Sequence, residues 1–206
     1  MTRPTQHRPP PPELFPVSDA PLRMDDLLPT LTRVVNTLDD AGLRFAVAGG
    51  CAVYARGGPP SEHDVDIFLR RRDVEQASQV LQAAGMRAVD PPEDWLSKVY
   101  DGEILVDLIF AASGREITDE FLDRATPMRV GSAFAPVVSA TDLMIDKLNV
   151  LDAHRCDFVP MLQIARDLRE QVDWPQVGDK TEASPYARAF LGLLDDLAIA
   201  SPRRPE

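Results

Sequence analysis

The sequence predicts an α/β (α+β) protein, with an α/β unit running to about residue 138 and a helical region after it. Two patterns carry that expectation. Between residues 43 and 138, apolar runs of strand length alternate with amphipathic helical stretches and are punctuated by glycine and proline. After Thr141, apolar residues recur only at helical spacing. Composition agrees: 44% hydrophobic and 27% charged residues in 206 positions suit a globular chain with a real core.

Residues 1–22 are proline-rich, with four consecutive prolines at Pro9 to Pro12, and read as a disordered, partly polyproline arm. Residues 23–138 form the expected α/β domain and residues 139–206 the helical C-terminal region. From Met24 a helix is expected, with Leu27, Leu28, Leu31, Val34, Val35 and Leu38 on one face and Gly42 past its end. LRFAVAGG reads as a short buried strand ending in a glycine pair, and CAVYARGG as a short helix. HDVDIFLR alternates acidic and apolar residues, as a strand does when it carries two carboxylates on one face.

DVEQASQVLQAAG is an amphipathic helix closed by Gly85, and MRAVD a strand. WLSKVYDG and EILVDLIF suggest a hairpin turning at Asp101-Gly102. Thr118 is a suitable N-cap for TDEFLDRA, and residues 128–138 read as extended. Three helices follow, in TDLMIDKLNVLDAHR, DFVPMLQIARDLREQ and SPYARAFLGLLDDLAIA, with Asp173 to Glu182 as a linking loop.

The formal net charge is −11. Proteins that grip nucleic acid by its backbone ordinarily carry a basic face, and this chain has no basic excess. Its one compact cluster, Arg70 to Arg72, reads as a solvated strand end or helix start. No apolar run approaches the roughly 20 residues needed to span a bilayer, and the N-terminus has no signal-peptide stretch, so no membrane association and a cytoplasmic location are expected. Cys51 and Cys156, the only cysteines, are far apart, which argues against a disulfide framework or a structural zinc site.

Three acids stand out by position. Asp64 and Asp66 are two residues apart on one expected strand, and Asp107 interrupts a separate apolar strand. Carboxylates inside a sheet are costly without compensation, and paired ones repel. A divalent cation relieves both costs. Magnesium takes oxygen ligands in octahedral geometry and keeps several positions for water or phosphate. Upstream, Gly49 and Gly50 follow an apolar strand and precede a helix, a turn where backbone N–H groups approach phosphate closely. A strand, a glycine pair, a helix, Asp-x-Asp on a strand and a lone strand Asp therefore suggest a metal–triphosphate site. Lys98 and Lys147 are the nearby cations; Lys98 reads as a surface residue. Trp95, Tyr100 and Phe110 read as hairpin and core aromatics, and His63 points away from the acids by strand alternation.

The segment FAVAGGCAVYARGGPPSEHDVDIFL resembles the opening of the polymerase-β-type nucleotidyltransferase superfamily, through Gly49-Gly50, Asp64-x-Asp66 and Asp107. Within it the chain is most similar to the AbiEii/MenT-like minimal nucleotidyltransferases, over about residues 43 to 170. The resemblance implies a nucleotidyltransferase-fold mixed sheet flanked by helices and followed by a C-terminal helical bundle. It implies Asp64, Asp66 and Asp107 as catalytic metal ligands for Mg2+, with Mn2+ as an alternative ion. SATDLMIDKLNVLDAHRCDF implies Lys147 as the lysine that contacts the triphosphate, with Asp157 as the acid that follows it. Toxin members of that branch carry Ser or Thr two residues before the first Asp. Here Glu62 stands there, and Ser61 is the nearest hydroxyl, assigned with Gly49 and Gly50 to nucleotide binding.

The activity implied is transfer of a nucleoside monophosphate from a nucleoside triphosphate, ATP among them, to an acceptor hydroxyl. The resemblance favours the 3′ end of tRNA as acceptor, as for a toxin with a cognate antitoxin; the acidic charge and Glu62 in place of a hydroxyl weigh against it, and the rival acceptor is a small hydroxylated molecule, as for antibiotic nucleotidyltransferases. A rival of another class is a catalytically idle binding module with the same fold.

Overall fold

The computed structural model describes residues 22–201; the proline-rich arm expected over residues 1–22 lies outside the described residues except for Leu22. The chain is a mixed α/β structure built on a seven-stranded sheet, ordered β3-β4-β5-β2-β1-β9-β8. Its strands are β1 (Phe45–Val47), β2 (Val65–Leu69), β3 (Arg87–Val89), β4 (Leu96–Asp101), β5 (Ile104–Ile109), β8 (Thr126–Val130) and β9 (Ala133–Val137). The β2–β5 and β1–β9 pairs are parallel and the other neighbours antiparallel. A small hairpin of β6 (Ala111–Ala112) and β7 (Arg115–Glu116) stands apart from the sheet.

Helices α1 (Met24–Asp40), α2 (Gly49–Ala55) and α3 (Val74–Ala83) flank the sheet, and a short α4 (Asp119–Asp123) precedes β8. In α1, Leu27, Leu31, Val34, Val35 and Leu38 form the apolar stripe that the 3.6-residue period requires, and all five are buried. The helices α1 and α3 pack on each other and on the sheet. They cover the face to which Val65, Ile67, Val106 and Leu108 point, all of them fully buried. On the other face α2 packs against β2, and Gly49 at its start closes on the Asp66 side chain.

The C-terminal helices are α5 (Ala140–Asn149), α6 (Phe158–Leu168), α7 (Trp174–Thr181) and α8 (Pro185–Asp196). Ser139, Asp157, Asp173 and Ser184 cap them, each side chain accepting a backbone N–H of the first turn. The helices α5, α7 and α8 pack together, and α5 also packs against α2. Arg124 donates twice to the buried Asp142 of α5, at 3.1 and 3.0 Å. Arg56, at the end of α2, donates to the Val137 and Val138 carbonyls and to Gln171. These bonds fix α5 relative to the sheet, and α5 carries Lys147.

Several boundaries differ from the sequence expectation. The glycine pair opens α2 instead of closing a strand. The β4–β5 turn is at Gly102-Glu103, one residue later than expected, with Gly102 at φ +62°. The segment expected to be a loop, Asp173 to Glu182, contains α7. Asp173 caps it, Pro175 stands in its first turn, and Trp174, Val177 and Thr181 are buried on one side. Tertiary packing of those three residues sustains eight residues that alone would make a marginal helix.

Candidate active site

The parallel register of β2 and β5 sets Asp66 directly beside Asp107. Asp64 stands one residue before β2, so the strand is shorter than expected, yet its carboxylate still joins the other two. One oxygen from each of Asp64, Asp66 and Asp107 lies within 4.8 Å of the others. Side chains that the sequence separates by more than 40 positions thus form one cluster, because a parallel pair brings like positions of two strands together.

The glycine turn is fitted to this cluster. Gly49 has φ +53°, and a Cβ on it would come within 1.6 Å of Asp66 Oδ2. A Cβ on Gly50 would come within 2.3 Å of Ser61 Oγ. Both glycines are therefore required sterically, the first also conformationally. Ser61 is buried against the turn while Glu62 is exposed, so the serine is the hydroxyl that faces the glycine pair.

The electrostatics follow from crowding. Burial, then the charges of Asp64 and Asp107, push the Asp66 carboxyl up to about 7, opposed by Lys147 and the Gly50 amide. Burial raises Asp107 to about 6, with Lys98 pulling the other way. Asp64 is also raised by burial, opposed by His63, Lys147 and Lys98. Asp107 Oδ1 is buried and has no hydrogen-bond partner among the described residues. Three crowded carboxylates, one with a stranded oxygen, form a set of hard oxygen donors that fits a divalent cation.

Lys147 projects from α5 toward the acids. Burial lowers its pKa, and Asp66, Asp64 and Asp146 hold its charge in place. Lys98, expected at the surface, is half-buried opposite Asp107 in the β4–β5 register, and its Nζ lies 3.7 Å from Glu93 Oε1. Asp157 is exposed, accepts the Val159 N–H at 3.0 Å as the α6 cap, and does not line the cavity described next.

A cavity of about 760 Å³ opens beside the cluster. Asp66, Gly49 and Lys147 form one end, and Phe68 and Ile109, one strand period beyond Asp66 and Asp107, continue it. Sequence reasoning missed its outer wall. The β6–β7 hairpin supplies Ala111 to Gly114 and Glu116, and the Ser113-Gly114 turn was the signal that could have revealed it. Trp95, read as a core residue, is 41% exposed on the cavity wall. Asp146 also lines it, and no local pattern singles it out.

A family profile described as uncharacterised nucleotidyltransferase matches residues 20–195. This chain belongs to that family. Its enzyme class is therefore nucleotidyltransferase, and the seven-stranded mixed sheet with flanking helices is the nucleotidyltransferase fold. Among solved structures, it is similar to the antibiotic-resistance factor ANT(2'')-Ia in solution, with TM-score 0.60 and 15% identity over 83% of this chain and 96% of that one. A crystal structure of ANT(2'')-Ia in complex with adenylyl-2''-tobramycin matches with TM-score 0.57 at 14% identity, over 81% and 97% of the two chains.

The lincosamide antibiotic adenylyltransferase LnuA, with lincomycin bound, matches with TM-score 0.50 at 11% identity, over 69% and 96%. An antigenic nucleotidyltransferase-like protein from Paracoccidioides brasiliensis matches with TM-score 0.52 at 18% identity, over 86% and 91%. At these identities the likeness is one of fold. No curated protein gives a significant match to this nucleotidyltransferase. None of the described helices is long and apolar enough to cross a membrane.

Proposed function

We propose that this nucleotidyltransferase uses a divalent cation to move a nucleoside monophosphate from a nucleoside triphosphate to a hydroxyl of a small molecule. The observation that carries this reading is the convergence of Asp64, Asp66 and Asp107 within 4.8 Å under a turn that only glycine fits. Asp64, Asp66 and Asp107 would hold magnesium or manganese. A cation bound there supplies charge neutralisation for the triphosphate and its pyrophosphate leaving group.

The chain's own groups do the rest. Lys147 and Ser61 steady the triphosphate at the Gly49-Gly50 turn. Asp107, whose Oδ1 has no hydrogen-bond partner among the described residues, takes the proton of the acceptor hydroxyl. The hydroxyl oxygen bonds to the α-phosphorus, the bond to the β-phosphate oxygen breaks, and pyrophosphate leaves. Positioning and charge supply most of the rate. Asp157, engaged as the α6 cap, is given no step in this scheme.

A small acceptor is supported by charge. The one compact arginine cluster is already paired: Arg70 with Asp73 and Asp119, Arg71 with Glu116, and Arg72 with Asp119. With a net charge of −11, the chain offers a polyanion little attraction. The antibiotic-modifying neighbours in the fold comparison support the same choice. The resemblance of the segments holding Gly49-Gly50, Asp64-x-Asp66 and Lys147 supports a second reading, an AbiEii/MenT-like toxin that labels the 3′ end of tRNA and is held by an antitoxin.

One assay separates them. Labelled nucleoside triphosphates and magnesium or manganese are incubated with total RNA or with a panel of hydroxylated small molecules. Metal-dependent label on a small molecule is expected, and none from the Asp64→Ala/Asp66→Ala variant. Label on tRNA would establish the second reading. Equal labelling by the variant would sink both. No thermal shift with any nucleotide and metal would point to an idle binding module.

A further inference from the structure

The cavity beside Asp66 holds two groups that the proposed reaction leaves unused. One is Trp95. The residue is 41% exposed, while its carbonyl accepts the N–H groups of Phe110 and Ala111 at 3.1 and 3.2 Å. That anchoring holds an aromatic residue at the wall of the cavity, which Ile109 and the exposed Val150 also line. A half-exposed tryptophan fixed by its backbone is a ready platform for stacking a planar ring.

The other is Asp146, one residue before Lys147 on α5. One of its oxygens takes the guanidinium of Arg115 from the β6–β7 hairpin. The second, Oδ2, is buried and, like Arg115 Nε of the same ion pair, has no hydrogen-bond partner among the described residues. A buried acceptor left unpaired is costly until a donor reaches it, and Asp146 lines the cavity from which a donor would come.

The position of the cavity says which part of a substrate enters it. It shares Gly49, Asp66 and Lys147 with the triphosphate site, while Asp64, Asp107 and Ser61 are not among its lining residues. The acceptor must approach Asp107. If Lys147 and the Gly49 turn hold the triphosphate as proposed above, the part of the nucleotide left to enter the cavity is the nucleoside, and a volume of about 760 Å³ holds one. We propose that this cavity is the nucleoside compartment of the donor nucleotide, in which Trp95 stacks on the base and Asp146 Oδ2 accepts a hydrogen bond from a ribose hydroxyl or a base amine. This rests on the nucleotidyl-transfer reading of the neighbouring acids.

Tryptophan emission gives a readout independent of turnover. The other tryptophan, Trp174, is buried, and its indole donates to the Arg169 carbonyl at 3.0 Å. ATP with magnesium should quench emission in the wild type and not in Trp95→Phe. Trp95→Ala should raise the KM for nucleotide about tenfold and leave the acceptor KM in place. Asp146→Asn should abolish the wild-type preference for ATP over one analogue. Loss of preference over 2′-deoxy-ATP assigns the donor to the ribose, and loss over purine riboside triphosphate assigns it to the base amine.

An unchanged quench with a raised acceptor KM would overturn the proposal by giving the cavity to the acceptor. Unchanged nucleotide selectivity in Asp146→Asn would reduce Asp146 to a clasp for the hairpin and overturn its part. Absence of any transfer by the wild type, with the quench intact, would remove the transferase reading and leave nucleotide binding standing.

Discussion

The two faces of the β2–β5 pair differ by a single residue step and serve opposite ends. Val65, Ile67, Val106 and Leu108 point toward α1 and α3 and are completely buried. One position along, Asp66 and Asp107 point the other way, half-buried or buried, and repel each other. The first face gains from leaving water. The second loses by it, because desolvation and like charge both oppose ionised carboxylates. The apolar face anchors the strands so firmly that the acidic face can be held in a geometry it would not choose for itself.

The largest break in this comparison should come from exchanging the role of one residue on each face. Asp66→Ala should lower transfer activity about a thousand-fold, the scale of losing a main electrostatic group, with the chain still folded by circular dichroism. Ile67→Ala, its neighbour, should destabilise the fold by about 2–5 kcal/mol in urea unfolding, while the activity per folded molecule stays within a few-fold. If both variants fail in the same way, stability and chemistry are not separated by face.

Gly49→Ala tests how the two sides are joined. Its methyl would need the space of Asp66 Oδ2, 1.6 Å away, in a backbone conformation that alanine resists. Loss of activity by about a hundred-fold, with a raised KM for nucleotide, is the expected result of displacing one carboxylate. Wild-type kinetics would mean that the turn does not constrain Asp66.

The smallest effect concerns stability in the absence of metal. Burial raises the carboxyls of Asp66 to about 7, Asp107 to about 6 and Asp146 to about 6, all from 3.8. The folded chain then binds more protons than the unfolded chain between pH 4 and 7, so folding stability falls as pH rises through that window. The melting temperature of metal-free protein should therefore drop from pH 5 to pH 8. At pH 8 Asp66→Asn should melt roughly 2–4 °C above the wild type, the response to about 1 kcal/mol in a chain of this size, and added magnesium should reverse the order. A flat profile that the substitution leaves unchanged would show that these acids are not under strain.

Much of this was legible from local chemistry. The stripe of α1, the N-cap Thr118 and the strand periodicity around Asp66 all follow from neighbours within a few positions. The helix α7 was misread because Trp174, Val177 and Thr181 are too few to announce a helix, and their burial against other elements decides it. Lys98 was placed at the surface because a lone lysine in a strand carries no record of the strand beside it. The β4–β5 pairing brings Asp107 into register with it, and the stretch just before β4 brings Glu93 to it by ion pair. Asp146 and Trp95 were invisible for the same reason: a cavity wall is assembled from separate stretches of chain.

Residue types and spacing alone determined that this chain has a glycine pair after an apolar strand, two acids on the next strand and a third on a later one. Hydrogen bonding and side-chain periodicity act over short distances along the backbone, so such features survive in sequence. Only the tertiary structure decided that the three acids meet, that Lys147 reaches them, that Ser61 rather than Glu62 faces the turn, and that a cavity continues beyond. Those outcomes depend on parallel strand register and on the docking of α5, which are set by packing between residues far apart in the chain.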